Sequence, residues 1–267
     1  MITVETTQDT GRRLAALHAA SRSLTALVDG LSEEELKQPS YADGWSIAQV
    51  LSHLGSAAEI SARLVERGRA GDMTGPTREE MLPVWARWDA LPPLGQRAAW
   101  READARHLGL LDSLDAAERT TMKIPYFAGQ IGVSVYMGYR LSEQSVHGWD
   151  VAVALDPGAT VPEEEARLLW ERLDLVTSRF HDRGTLRRLA PARVAVELTD
   201  LRRTVCLDLG EEPRIRPEEP ADPVATVTGT ADAVLRLAYG RNRPGVDAVT
   251  TRGPVVLDDL RSLFPGF

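Results

Sequence analysis

The sequence predicts a mostly α-helical protein, with a helical bundle over residues 1–185 followed by a small α+β domain over 186–267. Three observations carry this. Apolar residues recur at helical spacing through the first two thirds of the chain. After about residue 190 the pattern changes to short, β-branched runs separated by turn residues. The chain has 267 residues, 43% of them hydrophobic, enough to bury a sizeable core in one large or two small domains.

Each element has its own local signal. "TGRRLAALHAASRSLTALVDGLS" places Leu14, Leu17, Leu24, Leu27 and Val28 on one stripe, and Gly30 ends it. "GWSIAQVLSHLGSAAEISARLVERG" opens with Ser46 and Gln49 at capping-box spacing and ends at Gly68. "TREEMLPVWARWDA" is a short helix broken by "LPPLG", and "QRAAWREADARHLGLLDSL" is a third long helix. "TMKIPYFAGQIG" reads as a loop. "VSVYMGYRLSEQSVHGWDVAVAL" is the fourth long helix, stopped by Asp156-Pro157-Gly158. "PEEEARLLWERLDLVTSRFHD" is a fifth, with Pro162 and three glutamates at its positive end. "ARVAVELTD" and "RRTVCLDLG" are strands, "RIRPEEPADP" a linker or edge. "ATVTGTADAVLRLAYGR" and "AVTTRGPVVLDDLRSLFPGF" each read as strand then helix.

Composition excludes some functions. A net charge of −8 argues against nucleic acid and anionic membranes as partners. No run approaches the ~20 apolar residues of a membrane span, and "MITVETTQDTGRRL" has no apolar signal core. Cys206 is the only cysteine, so no internal disulfide forms and a reducing cytoplasm is expected. Lys37 and Lys123 are the only lysines among 31 basic residues, a bias of genome composition rather than chemistry. The charge balance is compatible with a monomer or a weak homodimer.

On the fourth long helix Tyr136, Arg140, Glu143, His147 and Asp150 fall on one stripe, at spacings of four, three, four and three. Such a stripe is either a solvated face or a polar site inside the bundle. His53 lies in step with Val50, Ala57, Ile60 and Leu64 on the core stripe of the second long helix. A buried imidazole needs a partner, and the glutamate and histidine of another helix are suitable ones. His53, Glu143 and His147 make a three-ligand set of the kind that leaves a catalytic metal one open position. The same donors suit zinc and non-haem iron. Asp150 can orient a ligand from behind or cap a neighbour. Arg140 can bind a substrate carboxylate or pair with Glu143 or Asp150. His18, His107 and His181 are assigned to packing or to a helix end.

"GWSIAQVLSHLG" (44–55), "SEQSVHGWDVAVAL" (142–155) and the tail "ATVTGTADAVLRLAYGR…LRSLFPGF" closely resemble the mycothiol-dependent maleylpyruvate isomerase family, within the DinB-like thiol-associated metalloenzymes. The resemblance implies a DinB-like four-helix bundle and a small α+β domain. It implies a divalent metal, usually zinc, on His53, Glu143 and His147, with mycothiol as the thiol. It also implies a functional arginine in the C-terminal domain. Arg241 in "LAYGRNRPG" matches that place, with Arg243 beside it as the alternative.

The expected partners are therefore a small-molecule thiol and an electrophile. With Cys206 on a strand and no other cysteine, the thiol has to come from outside the chain. Addition to a cis unsaturated diacid followed by elimination gives the trans isomer, whereas an epoxide or halide gives a lasting S-conjugate. Isomerase and S-transferase both fit the ligand set. A metal-binding scaffold without turnover is a further reading. A plain helical protein with satisfied core groups fits the complete ligand set least well.

Overall fold

The computed structural model describes residues 7–243 and 249–266 and divides into two units, Met1–Thr160 and Val161–Phe267. Four long helices build the first unit: α1 (Thr7–Val28), α3 (Ile47–Arg69), α5 (Pro93–Asp112) and α7 (Val133–Leu155). Short helices α2 (Glu33–Leu36), α4 (Arg78–Asp89) and α6 (Ala116–Thr121) join them. The ends follow sequence signals. Ser46 Oγ accepts from the Gln49 amide and the Gln49 side chain accepts from the Ser46 amide, so both orphan donors are satisfied at the start of α3. The same reciprocal cap opens α4 at Thr77 and Glu80.

The predicted α1 stripe is buried at Leu14, Leu17, Leu24 and Val28, whereas Leu27 is exposed. Three residues after Leu24 and one before Val28, Leu27 sits on the outer edge of the stripe. The packing partners are α3 with α5 and α1 with α7, and α3 also meets α7. Val50, Leu51, Leu54, Ala58, Leu64 and Val65 of α3 are almost fully buried.

The segment expected to be a loop is a β-hairpin, β1 (Lys123–Tyr126) paired antiparallel with β2 (Gly129–Gly132). Tyr126 pairs with Gly129, so Phe127 and Ala128 make a two-residue turn. Gly129 follows at φ +95°, a conformation open to glycine and costly for other residues. β1 packs on α3, and Ile124 is fully buried.

The second unit begins 25 residues before the expected boundary, at Val161 rather than 186. The expected fifth helix is broken into α8 (Glu163–Trp170) and α9 (Leu173–Arg179), followed by α10 (Arg183–Leu189). Side-chain anchors account for both differences. Trp170 Nε1 donates to the Ala231 carbonyl. Asp174 pairs with Arg214 and accepts from the Ile215 amide. These bonds hold the helices to the sheet domain and bend the chain between them. Burial pushes the Asp174 carboxyl up, but its Arg214 and Ile215 hydrogen bonds outweigh that and hold it below its ordinary value.

The sheet is formed by β3 (Ala192–Leu198), β4 (Arg203–Leu209), β5 (Pro213–Arg216), β6 (Ala225–Gly229) and β7 (Thr250–Arg252), in the order β5-β4-β3-β6-β7. β3 and β6 are parallel, with Val196 opposite Val227, and every other pair is antiparallel. Val194, Val196, Val205, Leu207 and Val227 form a core with Val234 and Leu237 of α11 (Ala231–Ala238) and Leu260 and Leu263 of α12 (Leu257–Leu263). Of the Pro-rich segment only Arg214–Arg216 join the sheet, with Pro213 ahead of them, as the edge strand β5 on β4, a place where proline is tolerated. Among the described residues, no helix is long and apolar enough to cross a membrane.

Candidate metal centre

Helical spacing on α7 puts Glu143 and His147 one turn apart on the face that meets α3. His53 arrives from α3, two turns after the Ser46 cap. His53 Nε2 lies 3.1 Å from Glu143 Oε2, and His147 Nε2 lies 3.9 Å from the same oxygen. One ligand atom from each residue falls within 4.8 Å of the others. Metal–ligand bonds of ~2.0–2.1 Å at tetrahedral angles set donors roughly 3.3 Å apart. The observed spacings bracket that value, and the donors are of the type that zinc takes. The residues present fit a divalent metal.

The interior reading of the polar stripe is the one the structure bears out. His147 Nδ1 is 2.9 Å from Asp150 Oδ2, and Asp150 is fully buried. A carboxylate at Nδ1 places the ring proton there and leaves the Nε2 lone pair facing Glu143. The Asp150 carbonyl also accepts from the Tyr41 amide, tying the end of the stripe to the loop before α3. Burial would push the Glu143 carboxyl up. The hydrogen bond to His53 and the charges of His147, His53 and Arg140 outweigh it and hold the group at about 2, so it is an anion throughout the physiological range.

Tyr136, at the far end of the stripe, is fully buried, and its hydroxyl is 2.5 Å from His107 Nε2. Burial drives the Tyr136 phenol up and the His107 imidazole well down, so both remain neutral. His18 pairs with Asp112, and His181 Nδ1 meets the Thr177 carbonyl near the end of α9. Trp149 is buried and donates to the Ala159 carbonyl. In the second unit Cys206 is buried on β4, and burial pushes its thiol up, away from the reactive thiolate. Arg241 is also buried there and donates to the Tyr239 carbonyl, while Arg243 is exposed.

The sequence reading did not assign Trp45. Its ring centre lies 5.0 Å from that of His53 and 5.8 Å from that of His147, and the two imidazoles are 4.7 Å apart. Trp45 thus walls one side of the ligand set, from the residue just before the α3 cap. A tryptophan one position ahead of a capping box, on a helix with a core-facing histidine, was the available signal. The other side opens into a cavity of about 230 Å³ that reaches His53 and Glu143 and is bounded by Arg140, Trp85, Tyr126 and Phe127.

Residues 17–152 match the mycothiol maleylpyruvate isomerase N-terminal domain. The chain belongs to that family. A crystal structure of the mycothiol-dependent maleylpyruvate isomerase superposes with a TM-score of 0.66, at 18% identity, over 91% of this chain and 92% of the other. A histidine-to-alanine mutant of that isomerase gives a TM-score of 0.64 at the same identity and coverage. At such identity the two structures establish a common fold. No curated protein sequence matches.

Within this family fold the Asp150–His147 contact makes a direct prediction. Asp150→Asn keeps the shape but offers His147 an amide in place of a carboxylate. Metal affinity is expected to fall about 10–100-fold. Competition with a fluorescent zinc chelator measures it, and an unchanged affinity would remove Asp150 from the site.

Proposed function

We propose that this chain is a metal-dependent enzyme that uses mycothiol to isomerise a cis unsaturated acid in the manner of maleylpyruvate isomerisation. The observation that carries the proposal is the convergence of His53, Glu143 and His147 beside a cavity, from two helices of the bundle. A divalent metal held there, zinc by the donor types, supplies a positive charge that favours a thiolate over a thiol at neutral pH. Glu143 contributes the one negative charge of the set, and Asp150 fixes the ring of His147. Trp45 excludes water from one side of the imidazoles. The chain brings no thiol of its own, since Cys206 is a buried residue of the second unit. Arg241 is the second-unit arginine we assign to the reaction, on the family resemblance. Its expected signature is lost turnover in Arg241→Met with metal content unchanged.

The aromatic wall of Trp85, Tyr126 and Phe127 favours one second reading, an S-transferase that conjugates bulkier electrophiles. One experiment separates them. Zinc-loaded protein is incubated with mycothiol and either maleylpyruvate or an epoxide probe. A trans product with the thiol pool intact identifies the isomerase, and a lasting conjugate identifies the transferase. If neither forms on a fully metal-loaded sample, the site holds metal without turnover and the enzyme reading fails.

A further inference from the structure

Arg140 is the polar residue of the stripe that neither the metal site nor the Tyr136–His107 pair absorbs. It lies one turn before Glu143 on α7, is only 2% exposed, and borders the cavity. Its Nε is buried with no hydrogen-bond partner, and among the described residues no carboxylate reaches ion-pairing distance of it. Asp104 and Glu143 act on it electrostatically. Asp104 is engaged with Ser21 and Glu143 with His53. A guanidinium taken out of water without a contact partner is costly, and an anion arriving at the cavity removes that cost. The planar fork of donors suits a carboxylate best.

The rest of the wall asks for something different. Ala57, Ile60, Trp85 and the rings of Tyr126 and Phe127 are apolar surface, and Phe127 is 53% exposed at the hairpin turn. An exposed phenylalanine at a turn gains nothing from the core, but it lines the cavity mouth. Tyr126 stacks edge-on against it at 4.9 Å, so the two rings form a continuous aromatic face. An apolar cavity of ~150 Å³ takes up a benzene ring. The 230 Å³ here leaves room for a ring and a short arm ending at Arg140.

Resting on the enzyme reading above, we propose that the electrophile this site accepts is an amphipathic carboxylate. Its carboxylate sits on Arg140 and its apolar or aromatic body lies against Trp85, Tyr126 and Phe127. A diacid as short as succinate would leave the aromatic face uncovered.

The test is binding of inert mimics to zinc-loaded, full-length protein by calorimetry, with zinc content measured on the same sample. The mimics are 3-phenylpropanoate, its neutral amide, and succinate. The acid is expected to bind about tenfold or more tighter than the amide, the scale of a charge-assisted hydrogen bond. It is also expected to bind tighter than succinate. Arg140→Met should abolish the acid-over-amide preference. Phe127→Ala, an exposed position whose loss leaves the fold intact, should weaken the phenyl acid roughly fivefold and leave succinate unchanged.

Equal binding of acid and amide overturns the proposal. So does a preference that survives in Arg140→Met, since the carboxylate would then be on the metal. Succinate binding as tightly as the phenyl acid, with Phe127→Ala silent, overturns it as well. If Arg140→Met does not fold, the wild-type contrast and Phe127→Ala decide alone. A sample without stoichiometric zinc sinks the enzyme reading, whereas the acid-over-amide contrast reports on the pocket by itself.

Discussion

His53→Ala is expected to strip the protein of its metal and abolish thiol-dependent turnover, while the helical circular dichroism stays that of the wild type. His53 is one of the three residues we propose as metal donors and the one that comes from α3. Its removal leaves Glu143 and His147, one turn apart on a single helix, which as two donors hold an ion far more weakly than three. The loss of affinity should therefore exceed the ~10–100-fold that follows loss of an outer partner such as Asp150. The His53 side chain is about one-third exposed, so alanine there opens no core cavity. Glu143→Gln should rank beside it, since it leaves a neutral donor set for a dication. The competing account, in which the trio is only a hydrogen-bonded cluster, predicts no metal in the wild type and a modest stability loss in the variant. Elemental analysis of protein purified without chelator decides between them.

Acidification adds a second handle. Metal competes with protons for its ligands, so affinity falls as pH falls. Glu143 holds its charge down to about 2, because its neighbours outweigh the effect of burial. Acid release of the metal should therefore be complete before Glu143 is neutralised. Release centred near pH 2–3 would place the metal on carboxylates instead.

The parts of the molecule that sequence could reveal are those fixed by local spacing. The Ser46–Gln49 box sets where α3 starts, and four-residue spacing on α7 puts Glu143 and His147 on one face. His53 was legible because it keeps step with Val50, Ile60 and Leu64, a stripe that must be buried. Features made by distant contacts were not. The hairpin of residues 123–132 is too short for its alternation to register, and Pro125 and Gly129 read as loop residues. The break after Trp170 depends on its bond to Ala231, 61 positions away. The Tyr136–His107 pair joins α7 to α5 across 29 positions, so neither residue announced the other. Arg140 is the sharpest case. Pairing with Glu143 or Asp150 was a fair expectation from spacing, and only the packed bundle reveals that neither carboxylate reaches it.

The same substitution at two helical glycines is expected to act with opposite sign. In a helix interior Gly→Ala gains up to ~1 kcal/mol from backbone propensity alone. At Gly148 of α7 nothing lies within 4 Å of a new Cβ, so Gly148→Ala should stabilise the protein by about that amount and leave metal content unchanged. At Gly55 of α3 the new Cβ would fall 2.2 Å from Trp88 Cη2, 2.3 Å from Cζ3, and 3.0 Å from the Trp100 Cα. The Trp88 ring is buried and its Nε1 is tied to Glu59 at 2.9 Å, so it has no free direction in which to swing. The Trp100 contact is backbone and yields only if α5 moves. Overpacking of this kind costs about 1–3 kcal/mol or more, which exceeds the propensity gain. Gly55→Ala should therefore lower the melting temperature where Gly148→Ala raises it. The consequence reaches the site, because Gly55 is two residues from His53. An α3 pushed away from α4 and α5 shifts that imidazole against Glu143. Gly55→Ala is accordingly expected to bind metal more weakly even in the fraction that stays folded, and a stable, fully metal-loaded variant would show that α3 is not seated by Trp88.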